Sequence, residues 1–212
     1  MRDFPLFCTD SGVASLILKK IPYTKEAYIY IRDTQDPDAL LKECCDFCKT
    51  VGAIDIYATG HDCLAVFPLH TTLLQMQCNN VQVRPDDVLL FPVQENTVDQ
   101  WRNIYNSRML NVPNATYLTW LDAKKIAESG SAYFVHEKGE LLGIGLISGN
   151  HIDVVATVIR GSGEKVMRAL CGAISEDMVS LTVAINNQHA MELYSRMGFV
   201  PVKQLESWYK II

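Results

Sequence analysis

Along most of the chain, apolar residues either alternate with a strand period or recur with a helical one, and the two periods follow each other in a regular order. In the carboxy-terminal part, residues 88–93 are apolar and strand-like, and Pro92 restricts that strand to an edge or terminal place. Thr97 stands where it caps a helix reaching Leu110, on which Trp101, Ile104, Tyr105 and Arg108 recur at helical spacing. A second amphipathic helix over 119–128 ends at Gly130. Residues 132–135 and 141–147 form a hairpin around the bend Glu137-Lys138-Gly139-Glu140. A strand over 151–159 then runs into Arg160-Gly161-Ser162-Gly163, after which Val166, Met167, Leu170, Cys171 and Ile174 share one helical face. The next strand, 180–185, passes through Asn186-Asn187 into a helix carrying Ala190, Leu193, Tyr194 and Met197. Gly198 closes that helix, and 199–202 with 207–211 read as a final hairpin.

The first 86 residues follow the same order, displaced by about 128 positions. Gly12 corresponds to Gly139, the strand 27–31 to 151–159, and Arg32 to Arg160. Residues 40–51 repeat the long helix and 54–57 the next strand. Residues 61–77 fall where the last helix would be, with Pro68 set to break it. The expected organisation is a smaller amino-terminal α/β unit over 1–86 and a carboxy-terminal domain over 87–212.

Composition narrows the class. The 212 residues carry 49% hydrophobic and 20% charged side chains, which suits real cores and excludes disorder. A net charge of −5, without clustered Lys and Arg, argues against a nucleic-acid or anionic-membrane partner. No apolar stretch approaches the roughly 18 to 20 residues that cross a bilayer. Met1-Arg2-Asp3-Phe4-Pro5 interrupts the basic-then-apolar pattern of a secretory leader. The seven cysteines are an odd number at irregular spacing, which suits reduced thiols. A cytoplasmic protein is expected. Cys44-Cys45 with Cys48, lacking a second ligand pair nearby other than the looser His61 and Cys63, read as small apolar residues on a buried helix face, so no metal site is expected.

The segment Arg160-Gly161-Ser162-Gly163-Glu164-Lys165 carries the clearest chemistry. A helix amino terminus presents unpaired amide N–H groups and about half a positive charge, and glycines let a phosphate approach the backbone closely. The spacing is not that of a dinucleotide fingerprint, because Val166 stands at the third glycine, nor that of a nucleotide-triphosphate loop. Downstream, Asn186 ends a strand and Asn187 is set to cap a helix.

Two segments together resemble the GNAT superfamily of acyl-CoA-dependent N-acetyltransferases. One is 155–170, where a strand, the glycine loop and a helix follow in order. The other is Leu181-Thr182-Val183-Ala184-Ile185-Asn186-Asn187 followed by Ala190, Leu193-Tyr194 and Gly198-Phe199. The resemblance covers about residues 87–212 and implies an α/β fold with a mixed sheet, flanking helices and an acyl-CoA wedge between its two central strands. It implies that Arg160, Gly161, Ser162, Gly163, Glu164 and Lys165 hold the pyrophosphate of acetyl-CoA and that Asn186 or Asn187 bonds the pantetheine arm. It further implies that a backbone N–H near Val155 stabilises the oxyanion and that Tyr194 is the general acid. The family pattern ends on a small residue where this chain has Lys165, preceded by Glu164. The carboxylate would repel phosphates and the ammonium would neutralise them, so affinity turns on which of the two faces the ligand. For the base, Asp153 and His151 lie on the strand before the loop and Glu137 on the preceding hairpin.

The expected activity is transfer of an acetyl group from acetyl-CoA to a primary amine, small molecule or peptide, by direct attack in a ternary complex. The alternative is a non-catalytic acyl-CoA-binding or interaction module on the same fold. In the amino-terminal copy, Arg32 is followed by Asp33-Thr34-Gln35-Asp36-Pro37, with two carboxylates and no glycine, so that unit is expected to have no cofactor site.

Overall fold

The computed structural model describes residues 5–79, 87–112 and 115–212. Residues 1–4, read above for targeting, and the unit boundary expected at 86/87 touch residues outside that set. The chain forms two compact units of mixed α/β structure. Unit 1 is Met1–Leu73 together with Leu205–Ile212, and unit 2 is Leu74–Gln204. No helix among the described residues is long and apolar enough to cross a membrane.

Unit 1 begins with the antiparallel hairpin β1 (Leu6–Thr9) and β2 (Gly12–Ile17). A single helical turn, α1 (Ile21–Thr24), leads to β3 (Glu26–Thr34), α2 (Pro37–Thr50), β4 (Asp55–Thr59), a 3-10 turn at Asp62–Val66 and the first part of β5 (Leu69–Asn79). Pro68 separates that turn from β5, so the helix foreseen over 61–77 is a short 3-10 turn followed by a strand, as a residue without an N–H dictates. The last strand of the chain, β11 (Val200–Lys210), brings residues from Leu205 onward into this unit, and the strands run β1-β2-β3-β4-β11-β5. Thr59 Oγ1 donates to the Ser207 carbonyl at 2.7 Å, and Lys210 Nζ pairs with Asp55 at 2.7 Å.

Helix α2 repeats Leu40, Leu41, Cys44, Cys45 and Cys48 on one face, which buries against Ala27, Ile29, Ile31, Ile56 and Ala58. Burial pushes the Cys44 and Cys48 thiols up to about 12 and Cys45 to about 11, so these are packing groups rather than ready thiolates. The opposite sheet face holds a second cluster, in which Tyr28 stacks on Tyr57 and meets Trp208 edge-on.

Unit 2 contains β6 (Val88–Pro92), α3 (Val98–Met109), α4 (Trp120–Glu128), β7 (Ala132–Glu137), β8 (Glu140–Ser148), β9 (His151–Thr157), α5 (Gly163–Cys171), β10 (Met178–Ala184) and α6 (Gln188–Arg196). Its strands run β5-β10-β9-β8-β7-β6, with β6 at the edge as Pro92 requires. One helical layer, α5 and α6, packs on Ile152, Leu181 and Val183, and the other, α3 and α4, on Phe134, Ile144, Val154 and Ala156. Thr119 and Asp122 close a capping box on α4. Thr97 stands at the N-cap of α3, but its hydroxyl bonds Gln94 instead of the helix. The final hairpin foreseen over 199–211 is instead the single strand β11. Its middle, Lys203 to Glu206, looks like a turn in sequence and is strand in the fold, exposed as far as Leu205 and half-buried at Glu206.

Candidate active site

The site begins with a fault in the sheet. β9 pairs with β8 in a register that shifts between Leu146 and Ile147: Ile147 faces Ile152, Leu146 faces Val154, and Asp153 is the extra residue of a bulge. A bulge bends and twists its strand. The parallel pairing of β9 with β10 covers His151 with Ser180 and Ile152 with Leu181, and among the described residues it stops there, one residue before the bulge. Beyond it the two strands part, and Val155, still paired with Gly145 of β8, lies on the stretch that β10 no longer covers, half-buried in the α5 and α6 layer.

The glycine loop follows at the end of β9. Gly161 takes φ +87 with open space around its missing side chain, a backbone shape that favours glycine. Ser162 is buried and turns away from the helix, donating to the carbonyls of Ile159 at 2.8 Å and Leu142 at 3.1 Å. It therefore ties the loop to β8 and leaves α5 with no side-chain cap, so the amides of the first turn stay available to an anion. A Cβ on Gly163 would come within 3.0 Å of Leu193 on α6, so the start of α5 and α6 meet closely here.

Lys165, the departure from the resembled pattern, and Glu164 before it are both satisfied within the protein. Lys165 Nζ holds both carboxylate oxygens of Glu137 at 2.7 Å, and Glu164 Oε1 takes a two-pronged contact from Arg168 at 2.8 and 3.0 Å. The Glu164 charge is thus answered by a guanidinium one turn on, and Glu137 is committed to Lys165. Arg160 is exposed.

On α6, Asn187 caps the helix, its Oδ1 accepting from the Ala190 N–H at 3.3 Å, while Asn186 is exposed at the end of β10. Tyr194 packs in the same cluster as Val155 and Leu193, with its ring 5.9 Å from that of Phe199. Burial pushes its phenol up to about 12, so it stays protonated well beyond neutral pH and is a donor by default. Asp153 is exposed at the bulge and accepts a hydrogen bond from the Ser148 hydroxyl on β8. Both His151 ring nitrogens are engaged, Nδ1 with Ser180 Oγ at 2.9 Å and Nε2 with Thr182 Oγ1 at 3.4 Å. The structure thus gathers Val155, Gly163 and Tyr194 around one layer of the parted strands, and holds Asp153 and His151 at the closed end. Sequence reading missed Gly145 on β8. A Cβ there would overlap Leu170, so this glycine lets α5 lie close on the sheet; its signal was a pair of alternate glycines, Gly143 and Gly145, in a strand pattern.

No protein-family model and no curated protein matches the sequence. Solved structures do. A GCN5-related N-acetyltransferase from Sphaerobacter thermophilus is similar over 94% of this chain and 76% of its own, with 12% identity and a TM-score of 0.58. The fold is that of the GNAT acetyltransferases. A GNAT-family acetyltransferase from Colwellia psychrerythraea is similar over 97% of this chain and 84% of its own, at 15% identity and a TM-score of 0.54. A tandem GNAT protein from the clavulanic acid biosynthesis pathway is similar over 94% of this chain and 79% of its own, at 11% identity and a TM-score of 0.51. In the GNAT fold of this chain, the pair that parts is β9 and β10, and the glycine loop leaves β9.

Proposed function

We propose that this chain is an acyl-CoA-dependent N-acyltransferase that moves an acetyl group from acetyl-CoA to a primary amine by direct attack. The parting of β9 and β10 at the Asp153 bulge carries this reading, because it opens a slot that ends at an uncapped helix start. The amides of Gly163, Glu164 and Lys165 suit a diphosphate in charge and direction, and Gly161 leaves the backbone open to it. Acetyl-CoA supplies the activated acyl group. In the chain itself, a backbone N–H near Val155 stabilises negative charge on the acyl oxygen. Tyr194 gives its proton to the leaving sulfur, and Asp153 takes the proton from the amine, with Ser148 orienting its carboxylate.

The alternative, an acyl-CoA-binding module without turnover, is favoured by one observation: both carboxylate and imidazole candidates for the base are already hydrogen-bonded. Incubating the full chain with acetyl-CoA and a panel of amines, and following both melting temperature and free coenzyme A, separates the readings. Stabilisation by acetyl-CoA with amine-dependent release of coenzyme A is the expected result. Stabilisation without release leaves the binding module, and no stabilisation removes both.

A further inference from the structure

Residues of β9 alternate between two helical layers. The α5 and α6 layer holds Val155 and Tyr194, and the α3 and α4 layer holds Val154 and Ala156. On the second layer a wide-open surface cavity of about 580 Å³ lies between α3 and the residue just beyond β9, lined by Gln100, Asn103, Ile104, Ser107, Arg108 and Val158. Its polar side chains stand at positions 100, 103, 107 and 108, one face of α3 at helical spacing. None of the lining residues is acidic, and Arg108 is the charged one. Arg108 Nη2 donates to the Val158 carbonyl at 3.0 Å, which ties the guanidinium to the cavity wall, and among the described residues its remaining N–H donors have no partner.

We propose that this cavity seats the non-reacting end of the acceptor and that the acceptor is an amine carrying a carboxylate. The inference rests on the transfer reading above. In a direct transfer the two reactants approach the acyl carbon from different sides, and the uncapped start of α5, with Tyr194, occupies the other layer. A planar guanidinium that shares its cavity with two carboxamides and a hydroxyl matches a carboxylate in charge and in its two-pronged geometry, and it repels a second ammonium such as a polyamine would bring. The same guanidinium chemistry also fits a phosphate of the acyl donor, so the test separates the two anions.

The test compares kcat/KM of the full chain for amines paired with analogues in which hydrogen replaces the carboxylate: glycine with methylamine, 4-aminobutyrate with propylamine and 6-aminohexanoate with pentylamine. The parent chain and the variants Arg108→Gln and Asn103→Asp are measured, and acetyl-CoA affinity is titrated in each. The parent is expected to favour the carboxylated partner of at least one pair by about tenfold or more. Both variants are expected to bring that ratio close to one through KM, with acetyl-CoA affinity unchanged. A parent without preference, or a preference that survives Arg108→Gln, overturns the proposal. Loss of acetyl-CoA affinity in Arg108→Gln with the preference intact assigns the guanidinium to the donor's phosphates instead. If the parent chain does not bind acetyl-CoA, the transfer reading fails. Ligand-observed NMR with 6-aminohexanoate then still reads the cavity: binding lost in Arg108→Gln supports it, and no binding to the parent refutes it.

Discussion

Both units set a parallel strand pair behind a hairpin and join its strands through a helix, yet one pair is closed and the other open. In unit 1, β3 and β4 pair at every position from Glu26 with Asp55 to Tyr30 with Thr59. In unit 2, among the described residues, β9 and β10 pair at His151 with Ser180 and Ile152 with Leu181 and no further. Each first strand carries a bulge against its hairpin neighbour. In β3 the register shift skips Arg32, past the paired stretch; in β9 it skips Asp153, the residue directly after the last parallel pair. The extra residue thus falls beyond the five-residue pair in β3 and directly after the second pair in β9, where the bend of a bulge accompanies the parting of the strands.

The helix starts differ in the same sense. α2 begins with Pro37, which has no N–H to offer, and the Asp36 carboxylate accepts from Ala39 N at 3.0 Å, filling the place an anion would take. α5 begins with Gly163, and its N-cap Ser162 faces inward. Unit 1 thus satisfies its helix start from within, whereas unit 2 leaves the start of α5 for a ligand.

The largest effect is expected from Gly163→Asp, which sets a carboxylate among the amides of α5 and crowds Leu193. Calorimetric titration should show acetyl-CoA binding abolished, with circular dichroism unchanged; retained affinity would mean the diphosphate sits elsewhere. Next is Tyr194→Phe, which removes only a hydroxyl. Turnover should drop about a hundredfold while acetyl-CoA affinity holds, and parent turnover at that affinity would return Tyr194 to the core. Because burial raises this phenol to about 12, the parent rate should show no loss of this donor between about pH 7 and 9. Its preference for the protonated form also stabilises the fold below its ordinary value of 10, and that contribution fades as pH rises toward 12.

Gly145→Ala should cost about 1 to 3 kcal/mol in urea unfolding, because the new methyl overlaps the buried Leu170; an unchanged midpoint would show that α5 shifts freely on β8. The smallest effect is set for Asp36→Ala, about 1 kcal/mol of stability from the lost cap of α2, with acetyl-CoA affinity unaltered. A gain or loss of affinity there would break the contrast between the units.

Much of this was readable in the chain because its causes are local. The glycine loop, the helix faces, the capping Asn187 and the breaking Pro68 each depend on neighbours within a turn or two. The bulge at Asp153 depends on the register of β9 against β8, and no residue type announces it. The inward turn of Ser162 depends on a carbonyl at Leu142, twenty positions away. β11 was misread because its place is set by partners such as Thr59, 148 residues distant, and because its exposed first half lacks the alternation that marks a half-buried strand.

Amide hydrogen exchange read by mass spectrometry, with and without saturating acetyl-CoA, tests the difference between the units most directly. Slowed exchange in peptides covering 155–168, with no change across 32–42, is the predicted result. Protection at the start of α2, or none at the start of α5, would contradict it.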